Sequence, residues 1–249
     1  MGRFDSTVPY YARFREPYPP EFFREVAAHL GLNGRQRLID IGCGPGLLAI
    51  GFAPFVTSVT GVDPEAEMIA AARDAARASG VSLELIHAGI EDLEFAAPRF
   101  DVATIGRALH WLERDRALPV LERAVVPGGR IAICIAKTSS GDINQWFKKY
   151  REIQKPWSAD PEMIRYRVTA VEVFAGSRFR KVDEVQVRYQ HQITISDLIG
   201  RSLSGSITSP AVLGERQPEF EAALAAGLAP YSVEGRLNEE VMAQAEIFA

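Results

Sequence analysis

Cysteine, excess positive charge and long apolar runs are all scarce in this sequence of 249 residues. Two cysteines are too few for a disulfide framework, which favours a reduced, cytoplasmic setting. Lysine and arginine number 28 against 32 aspartates and glutamates, so the net charge of −4 provides no chain-wide field for nucleic acid or an anionic membrane. The N-terminus carries charges and prolines where a signal peptide needs an apolar run, and the most apolar window, residues 47–56, is about half a membrane span. These absences predict a cytoplasmic protein without nucleic-acid or membrane partners.

Short apolar runs alternate with helical patterns in the first half of the chain. A hydrophobic content of 47% is enough to form a core. Strand-like runs fall at residues 37–41, 57–62, 82–87, 100–105 and 130–136, and helical spacing falls at 21–30, 64–79 and 113–126. Strands that alternate with helices predict βαβ units, and therefore a parallel sheet with helices on both faces.

The pattern changes near residue 137. Residues 137–176 predict mainly helix, residues 179–194 alternate like an antiparallel edge strand, and residues 240–249 predict a last strand. We predict an α/β fold: a Rossmann-like doubly wound sheet of about seven strands, mostly parallel with one antiparallel edge strand, plus a helical lid insertion. One domain over residues 1–249 is expected, with an N-terminal cap, a cofactor-binding core, a lid with the edge strand, and a C-terminal helix and strand at residues 1–33, 34–136, 137–205 and 206–249.

The most informative segment is a glycine loop between a predicted strand and a predicted helix, DIGCGPG at residues 40–46. Glycines at this place let the backbone turn tightly and lie against a ligand. Asp63 ends the next predicted strand about 20 residues after Gly42, the usual distance to an acid that binds a ribose diol. The loop, the strands and the acid together predict an adenosine-containing cofactor at the ends of the first two strands.

Two details of the loop indicate which cofactor it binds. Leu47 stands where a dinucleotide-binding loop has its third glycine. Asp40 precedes the loop, where its charge would repel a pyrophosphate but suit a ligand with a cationic end. S-adenosylmethionine has no phosphate and carries both a sulfonium and an ammonium, so the loop favours it over NAD.

Four segments of the chain follow the pattern of a known family: DIGCGPG at residues 40–46, GVDPEAEMI at 61–69, FDVATIGRALHWL at 100–112 and VVPGGRIAI at 125–133. They resemble the class I S-adenosylmethionine-dependent methyltransferases, and among them the bacterial small-molecule group that includes trans-aconitate and antibiotic-tailoring enzymes. The resemblance covers residues 8–136. It implies S-adenosyl-L-methionine as methyl donor, S-adenosyl-L-homocysteine as product and a small-molecule acceptor, with the enzyme a monomer or homodimer.

The resemblance also implies which residues bind the cofactor. Gly42 and Gly44 approach the methionine part through their backbones, Asp63 binds the ribose hydroxyls, Pro64 lies near the adenine, and Asp40 reaches the amino group directly or through water. The expected cofactor-binding set is Arg15, Asp40, Gly42, Cys43, Gly44, Gly46, Asp63, Pro64, Met68, Gly89, Ile90, Glu91 and Arg107. Gly89 departs from the family, which often has an adenine-binding Asp there; the backbone of Ile90 and the side chain of Glu91 or Asp92 are the replacements.

Catalytic and acceptor-binding residues are expected on both sides of this core. His110 follows the fourth strand and is the candidate base, needed only if the acceptor loses a proton; the alternative is a capping or packing role. Arg15 either pairs with the methionine carboxylate or lies solvated at the surface. The expected substrate pocket is Tyr11, Tyr18, Trp111, Trp146 and Trp157, with packing as the alternative for each aromatic ring. No metal is predicted, because the histidines lack metal-ligand spacing.

Three functions remain open at this point. Methyl transfer to a small molecule is the leading hypothesis, an NAD-dependent oxidoreductase is the second, and a non-catalytic S-adenosylmethionine-binding protein is the third. The segment after the fourth strand is Gly106-Arg107-Ala108-Leu109, without the N/D-P-P-Y/F/W motif typical of enzymes that methylate planar amines of nucleobases or glutamine. A small organic acceptor under a roof formed by residues 137–205 is therefore expected, and oxygen, nitrogen and carbon all stay open as the methylated atom.

Overall fold

The computed structural model describes residues 6–162 and 168–249. These residues form seven strands: β1 (Arg37–Ile41), β2 (Ser58–Asp63), β3 (Glu84–His87), β4 (Phe100–Gly106), β5 (Val125–Thr138), β6 (Lys181–Thr194) and β7 (Arg236–Phe248). The described residues also form ten α-helices: α1 (Val8–Phe14), α2 (Pro20–Leu30), α3 (Leu47–Phe52), α4 (Ala66–Ala78), α5 (Arg114–Ala124), α6 (Phe147–Gln154), α7 (Ala170–Phe174), α8 (Ile195–Leu203), α9 (Pro210–Leu213) and α10 (Gln217–Leu228).

The strands form one sheet in the order β3-β2-β1-β4-β5-β7-β6. The pairs β1–β2, β1–β4, β2–β3 and β4–β5 are parallel. Arg180 and Ala249 exchange both backbone hydrogen bonds where β6 begins and β7 ends, the arrangement of an antiparallel pair. The predicted mixed, mostly parallel sheet with an antiparallel edge is confirmed. The strand order reverses between β1 and β4, which is where open α/β sheets bind their ligands.

The chain divides into two compact units. The sheet unit comprises the described residues of Tyr18–Ile135, Arg165–Val187 and Ala243–Ala249. The helical unit comprises the described residues of Met1–Pro17, Ala136–Ile164 and Arg188–Met242. Strands β5, β6 and β7 contribute residues to both units, and the single domain expected from the sequence stays a prediction.

The core of the sheet unit is formed by the central parallel strands. Ile39, Ile41, Ala103, Ile105 and Ile131 are all buried. Strands covered by helices on both faces need such continuous apolar runs, which is why their positions could be predicted from the sequence. In α5 the helix continues through Pro119.

The helical unit has its own apolar core and a buried ion pair. Trp146, Phe220 and Leu224 belong to the core cluster. Arg201 on α8 makes two hydrogen bonds to the carboxylate of Glu239, at 2.5 and 3.0 Å. Burial alone raises the pKa of Glu239, but hydrogen bonds from His191, Arg201 and Thr138 lower it to about 2. A buried charge pair needs this degree of hydrogen bonding to offset its desolvation.

Two boundaries in the second half of the chain differ from the expectation. In the described part of residues 137–176, β5 extends to Thr138, and the expected helical stretch is divided into the short helices α6 and α7 and two 3-10 turns at Asp142–Asn144 and Lys155–Trp157. The final strand begins at Arg236, four residues before the expected start. Part of the expected helical stretch, residues 163–167, lies outside the described residues.

Two kinds of feature are absent from the described residues. No helix in the described part of the chain is long and apolar enough to cross a membrane. Residues 6–162 and 168–249 contain no group of three histidine, cysteine, aspartate or glutamate side chains arranged to hold a metal ion.

Candidate functional site

The loop between β1 and α3 has a backbone that needs glycine at three positions. Gly42, Gly44 and Gly46 have φ angles of 63°, 53° and 85°, all in the left-handed region that other residues rarely adopt. A Cβ on Gly42 would lie 2.5 Å from the Cβ of Ala108, so this approach of the loop to the β4 end also excludes a side chain. The loop presents bare backbone at the carboxyl end of β1.

Asp63 joins this loop to the end of β2. Its Oδ2 accepts a hydrogen bond from the Gly44 N–H at 2.8 Å, and its Oδ1 accepts one from the Glu65 N–H at 3.0 Å. The side chain is buried, and burial raises the pKa of its carboxyl group, opposed by these two hydrogen bonds. Each carboxylate oxygen has a second lone pair, so Asp63 can accept a ligand hydroxyl while it holds the loop.

Asp40 lies beneath the loop and not at its surface. Only 1% of the residue is exposed. Its Oδ1 accepts from the Thr104 hydroxyl at 2.7 Å and its Oδ2 from the Ala49 N–H at 3.1 Å, so both oxygens are engaged by protein donors on β4 and α3. Burial raises the pKa of Asp40 to about 7, although these two hydrogen bonds oppose it. The geometry gives this carboxyl a clear role in fixing the loop, whereas its contact with the cofactor's amino group stays a prediction.

Residues 89–92, which follow β3, lie on the side of the site away from β4. We call the glycine loop, Asp63 and these residues the cradle. Ile90 is buried, and the Oε1 of Glu91 accepts a hydrogen bond from the Glu113 N–H at 2.9 Å at the start of α5. Asp92 pairs with Arg116 at 2.8 Å. Both acids that were candidates for the adenine amine therefore have partners on α5, and Gly89 offers backbone alone.

His87 lies next to Asp63 and Pro64, and the sequence alone did not identify it. It is the register partner of Asp63 across β2 and β3, and its Nε2 lies 3.0 Å from the Pro64 carbonyl oxygen. A carbonyl only accepts, so Nε2 carries the proton in this contact. The pairing register was the missing signal, because the two residues are far apart in sequence and neither strand predicts which positions align.

Arg107, at the end of β4, is a positively charged residue next to the two residues that contact the glycine loop and α3. Arg107 has a φ of 56° and its guanidinium carbon lies 5.0 Å from the ring centroid of Tyr18. The residues on either side of it face the loop and α3: Ala108 approaches Gly42, and a Cβ on Gly106 would meet Leu48 at 2.6 Å. Arg107 therefore stands at the β1 side of the cradle, away from the β3 end.

The remaining candidates in the sheet unit surround this cradle. His110 and Trp111 lie half-buried on a short turn after β4 with their ring centroids 4.9 Å apart. Met68 is buried on α4 and Pro64 is exposed. Cys43 is buried, and burial raises the pKa of its thiol well above the usual range, which removes any thiolate nucleophile from the loop.

The other candidates belong to the helical unit. The Nη2 of Arg15 donates to the Ser204 carbonyl at 3.1 Å and its guanidinium stacks over Tyr11 at 4.9 Å. Its Nε is buried without a hydrogen-bond partner in the described structure. Trp146 is buried, and its indole N–H donates to the Asn238 carbonyl at 2.8 Å. Trp157 is half-buried against Phe220 and Arg216.

Comparison with known proteins places this geometry in a family. The family described as "Methyltransferase domain" matches residues 39–133. An uncharacterized methyltransferase of Mycobacterium bovis is 30% identical over 210 residues, which cover 84% of this chain and 79% of that protein. The trans-aconitate 2-methyltransferase of Paracidovorax citrulli is 28% identical over 222 residues, 83% of this chain and 80% of that protein.

A solved structure has the same fold. A protein assigned as a type II methyltransferase from Anaeromyxobacter dehalogenans aligns with a TM-score of 0.66 at 21% identity, over 94% of this chain and 97% of that chain. Likeness at this identity concerns the fold, whereas the mycobacterial relative matches in sequence over most of both chains. The chain belongs to the methyltransferases.

Proposed function

We propose that this methyltransferase transfers the methyl group of S-adenosylmethionine to a small-molecule acceptor. The observation that carries the proposal is the hydrogen bond between the glycine loop and Asp63. Three glycines of the loop have left-handed φ angles, and the middle one, Gly44, donates its N–H to the carboxylate of Asp63. Because glycines with left-handed φ angles form this loop, it presents backbone and no side chains, which suits a ligand that lies close against the main chain. The relative that acts on trans-aconitate supports a small-molecule acceptor.

Each expected cofactor-binding residue would contact one part of the donor, with Arg107 near its methionine end. Gly42, Cys43, Gly44 and Gly46 would hold the methionine part through their backbone, while Asp63 would accept the ribose hydroxyls. Pro64, Met68, Gly89, Ile90 and Glu91 would enclose the adenine, Asp40 would stabilise the loop beneath the amino group, and Arg15, with its unpartnered Nε, would bind a carboxylate. When bound, the donor supplies an electrophilic methyl group on sulfur.

The protein's contribution to the transfer is alignment in a dry site. An in-line displacement gains most from holding the acceptor close to the methyl carbon and from excluding water. The half-buried turn with His110 and Trp111 follows β4 at the sheet edge, where His110 would take a proton from an acceptor that must lose one. Tyr11, Tyr18, Trp111 and Trp157 stay the proposed acceptor contacts, whereas Trp146 takes the alternative packing role, because it is buried and its indole N–H already donates to the Asn238 carbonyl.

Calorimetry with two ligands tests the proposal. S-adenosylhomocysteine should bind, and Asp63→Ala should weaken it by roughly 10-fold or more, because charge-assisted hydrogen bonds contribute about 1.5–3 kcal/mol each. Asp74→Ala is the matched control, since its side chain on α4 is 76% exposed. Binding of NADH in place of S-adenosylhomocysteine would favour the oxidoreductase, and unchanged affinity in folded Asp63→Ala would remove the acid from the site. Turnover with tritium-labelled donor separates the enzyme from a non-catalytic binding protein.

A further inference from the structure

The peptide group between Pro64 and Glu65 is held by a hydrogen bond at each end. Its N–H, on Glu65, donates to the Oδ1 of Asp63 at 3.0 Å. Its carbonyl oxygen, on Pro64, accepts from the Nε2 of His87, also at 3.0 Å. A peptide group is planar, so an interaction that orients the carbonyl also orients the N–H. The imidazole of His87 and the carboxylate of Asp63 are therefore connected through one rigid unit.

The pairing of β2 with β3 brings His87 to this peptide. His87 is the register partner of Asp63 at the carboxyl ends of the two strands, and the Ala88 N–H donates to the Asp63 carbonyl at 3.1 Å. The sheet thus fixes the backbone of Asp63, whereas its side chain depends on the turn that follows. Because β2 ends at Asp63 and α4 begins at Ala66, that turn consists of Pro64 and Glu65.

The turn lacks two common restraints of a helix start. Pro64 has no backbone N–H to donate, and the side chain of Glu65 makes no capping hydrogen bond to α4. The bond from His87 restrains the turn from the neighbouring strand instead. The His87 side chain is exposed, so this bond competes with water and its effect is modest.

The orientation of Asp63 matters because its carboxylate has two tasks. Its Oδ2 accepts the Gly44 N–H of the glycine loop, and in the proposed function its remaining lone pairs accept the ribose hydroxyls. Hydrogen bonds weaken steeply when donor and acceptor are misaligned. A carboxylate that is already oriented therefore binds the ribose more tightly than one that must become ordered on binding.

We infer that His87 is a positioning residue for the ribose-binding carboxylate: it holds the Pro64–Glu65 peptide, and through it Asp63, in the orientation that receives the cofactor. Its part is to donate a hydrogen bond from Nε2, so an amide side chain of similar reach can replace it and an apolar side chain cannot. This role rests on the proposed function and adds to it a residue of β3 that acts through Asp63.

A double-mutant cycle read by calorimetry tests this role. His87→Leu removes the donor and His87→Gln keeps one, and each change is also combined with Asp63→Ala. His29→Leu is the matched control, because His29 lies in the same sheet unit, has a side chain that is 40% exposed and hydrogen-bonds to Asp183 at 2.6 Å. The Kd of S-adenosylhomocysteine is measured for every variant, and urea denaturation shows that each one is folded.

His87→Leu should raise the Kd of S-adenosylhomocysteine by about 3-fold or more, the effect of one lost hydrogen bond. His87→Gln should restore the Kd to within about 2-fold of the wild type, and His29→Leu should leave it unchanged. In the Asp63→Ala protein, His87→Leu should have no further effect, because the carboxylate that it positions is gone. Where that protein binds too weakly to measure, the comparison of His87→Leu with His87→Gln decides.

Three results would overturn the inference. An equal loss with and without Asp63 would show that His87 contacts the cofactor itself or only supports the end of β3. Unchanged affinity in folded His87→Leu would show that the peptide needs no such restraint. A loss that His87→Gln does not restore would show that the ring, and not its N–H, is what matters. Failure of the wild type to bind S-adenosylhomocysteine would instead contradict the proposed function, and this role with it.

Discussion

The buried carboxyl of Asp40 should make the stability of this protein fall as the pH rises. Burial raises its pKa from 3.8 to about 7 in the folded chain, so the folded protein binds this proton more tightly than the unfolded chain does. The stabilising contribution of the neutral form is complete below the unfolded pKa of 3.8, and it is lost as the pH rises towards the folded pKa. The loss is nearly complete about one pH unit above the folded pKa, near pH 8.

The size of the effect follows from the shift. One pKa unit corresponds to about 1.4 kcal/mol, so a shift of this size contributes about 4 kcal/mol in total. Between pH 5 and pH 8 linkage predicts a loss of about 2–3 kcal/mol from this group. Asp40→Asn should abolish that part of the pH dependence, because its amide oxygen can accept from the Ala49 N–H while its amide nitrogen donates to the Thr104 hydroxyl. Asparagine thus keeps the hydrogen bonds of the neutral carboxyl group but does not titrate.

Urea denaturation at pH 5 and pH 8 measures the difference. Other titrating groups are common to both proteins, so the free energy of unfolding of the wild type should fall by about 2–3 kcal/mol more than that of Asp40→Asn over this interval. Asp74→Asn, an exposed change on α4, should follow the wild type. Parallel pH profiles for the wild type and Asp40→Asn would refute the reasoning and show that Asp40 is ionised in the folded protein at low pH.

Two further changes test the cradle. Gly42→Ala should cost about 1–2 kcal/mol from the left-handed backbone and abolish S-adenosylhomocysteine binding in calorimetry, because its Cβ meets Ala108. Ala108→Gly combined with it should restore space but not the backbone preference; full binding by Gly42→Ala alone would contradict the cradle. Glu91→Ala should lower the free energy of unfolding by about 1 kcal/mol in urea, because the Glu113 N–H at the start of α5 loses its acceptor. No change would mean that water replaces the carboxylate.

The parallel part of the fold could be predicted because its signals are local. Strands β1 to β4 are apolar runs closed by Gly, Asp or a turn, and the structure moves their ends by two residues at most. The strand expected at residues 130–136 begins instead at Val125, and β5 passes through Pro127-Gly128-Gly129 with an irregular register. Val125 pairs with Phe100 there, and pairing resumes between Arg130 and Val102. A bulge of this kind depends on the neighbouring strand and has no signal within its own segment.

The site residues also differ in whether a local sequence signal identifies them. The glycines and Asp63 could be identified because spacing along one chain segment specifies them. The role of Asp40 depends on Thr104, and the setting of Arg107 depends on Tyr18 and Cys134, all distant in sequence. Residue type suggested a ligand for Asp40, but the burial that raises its pKa arises only when the strands assemble.

Trp146 tests whether the aromatic side chains of the helical unit bind the acceptor or only pack in the core. As an acceptor contact it needs an open face, but only 2% of the residue is exposed and its indole N–H is satisfied by the Asn238 carbonyl. Tyr150 and Phe147 pack edge-on against it. Truncation of such a residue removes contacts and leaves a cavity, so Trp146→Ala should cost about 3–5 kcal/mol of the free energy of unfolding in urea.

Trp157→Ala provides the comparison. Its ring is half-buried over Phe220 and the Arg216 guanidinium, so truncation should cost about 1–2 kcal/mol, clearly less than at Trp146. Turnover of a folded Trp146→Phe variant should stay within about 3-fold of the wild type, since the ring's surroundings hold it for packing and one lost hydrogen bond costs about 1 kcal/mol of stability. If Trp146→Ala keeps its stability while the KM for the acceptor rises, the buried position assigned to this ring is wrong and it contacts the acceptor.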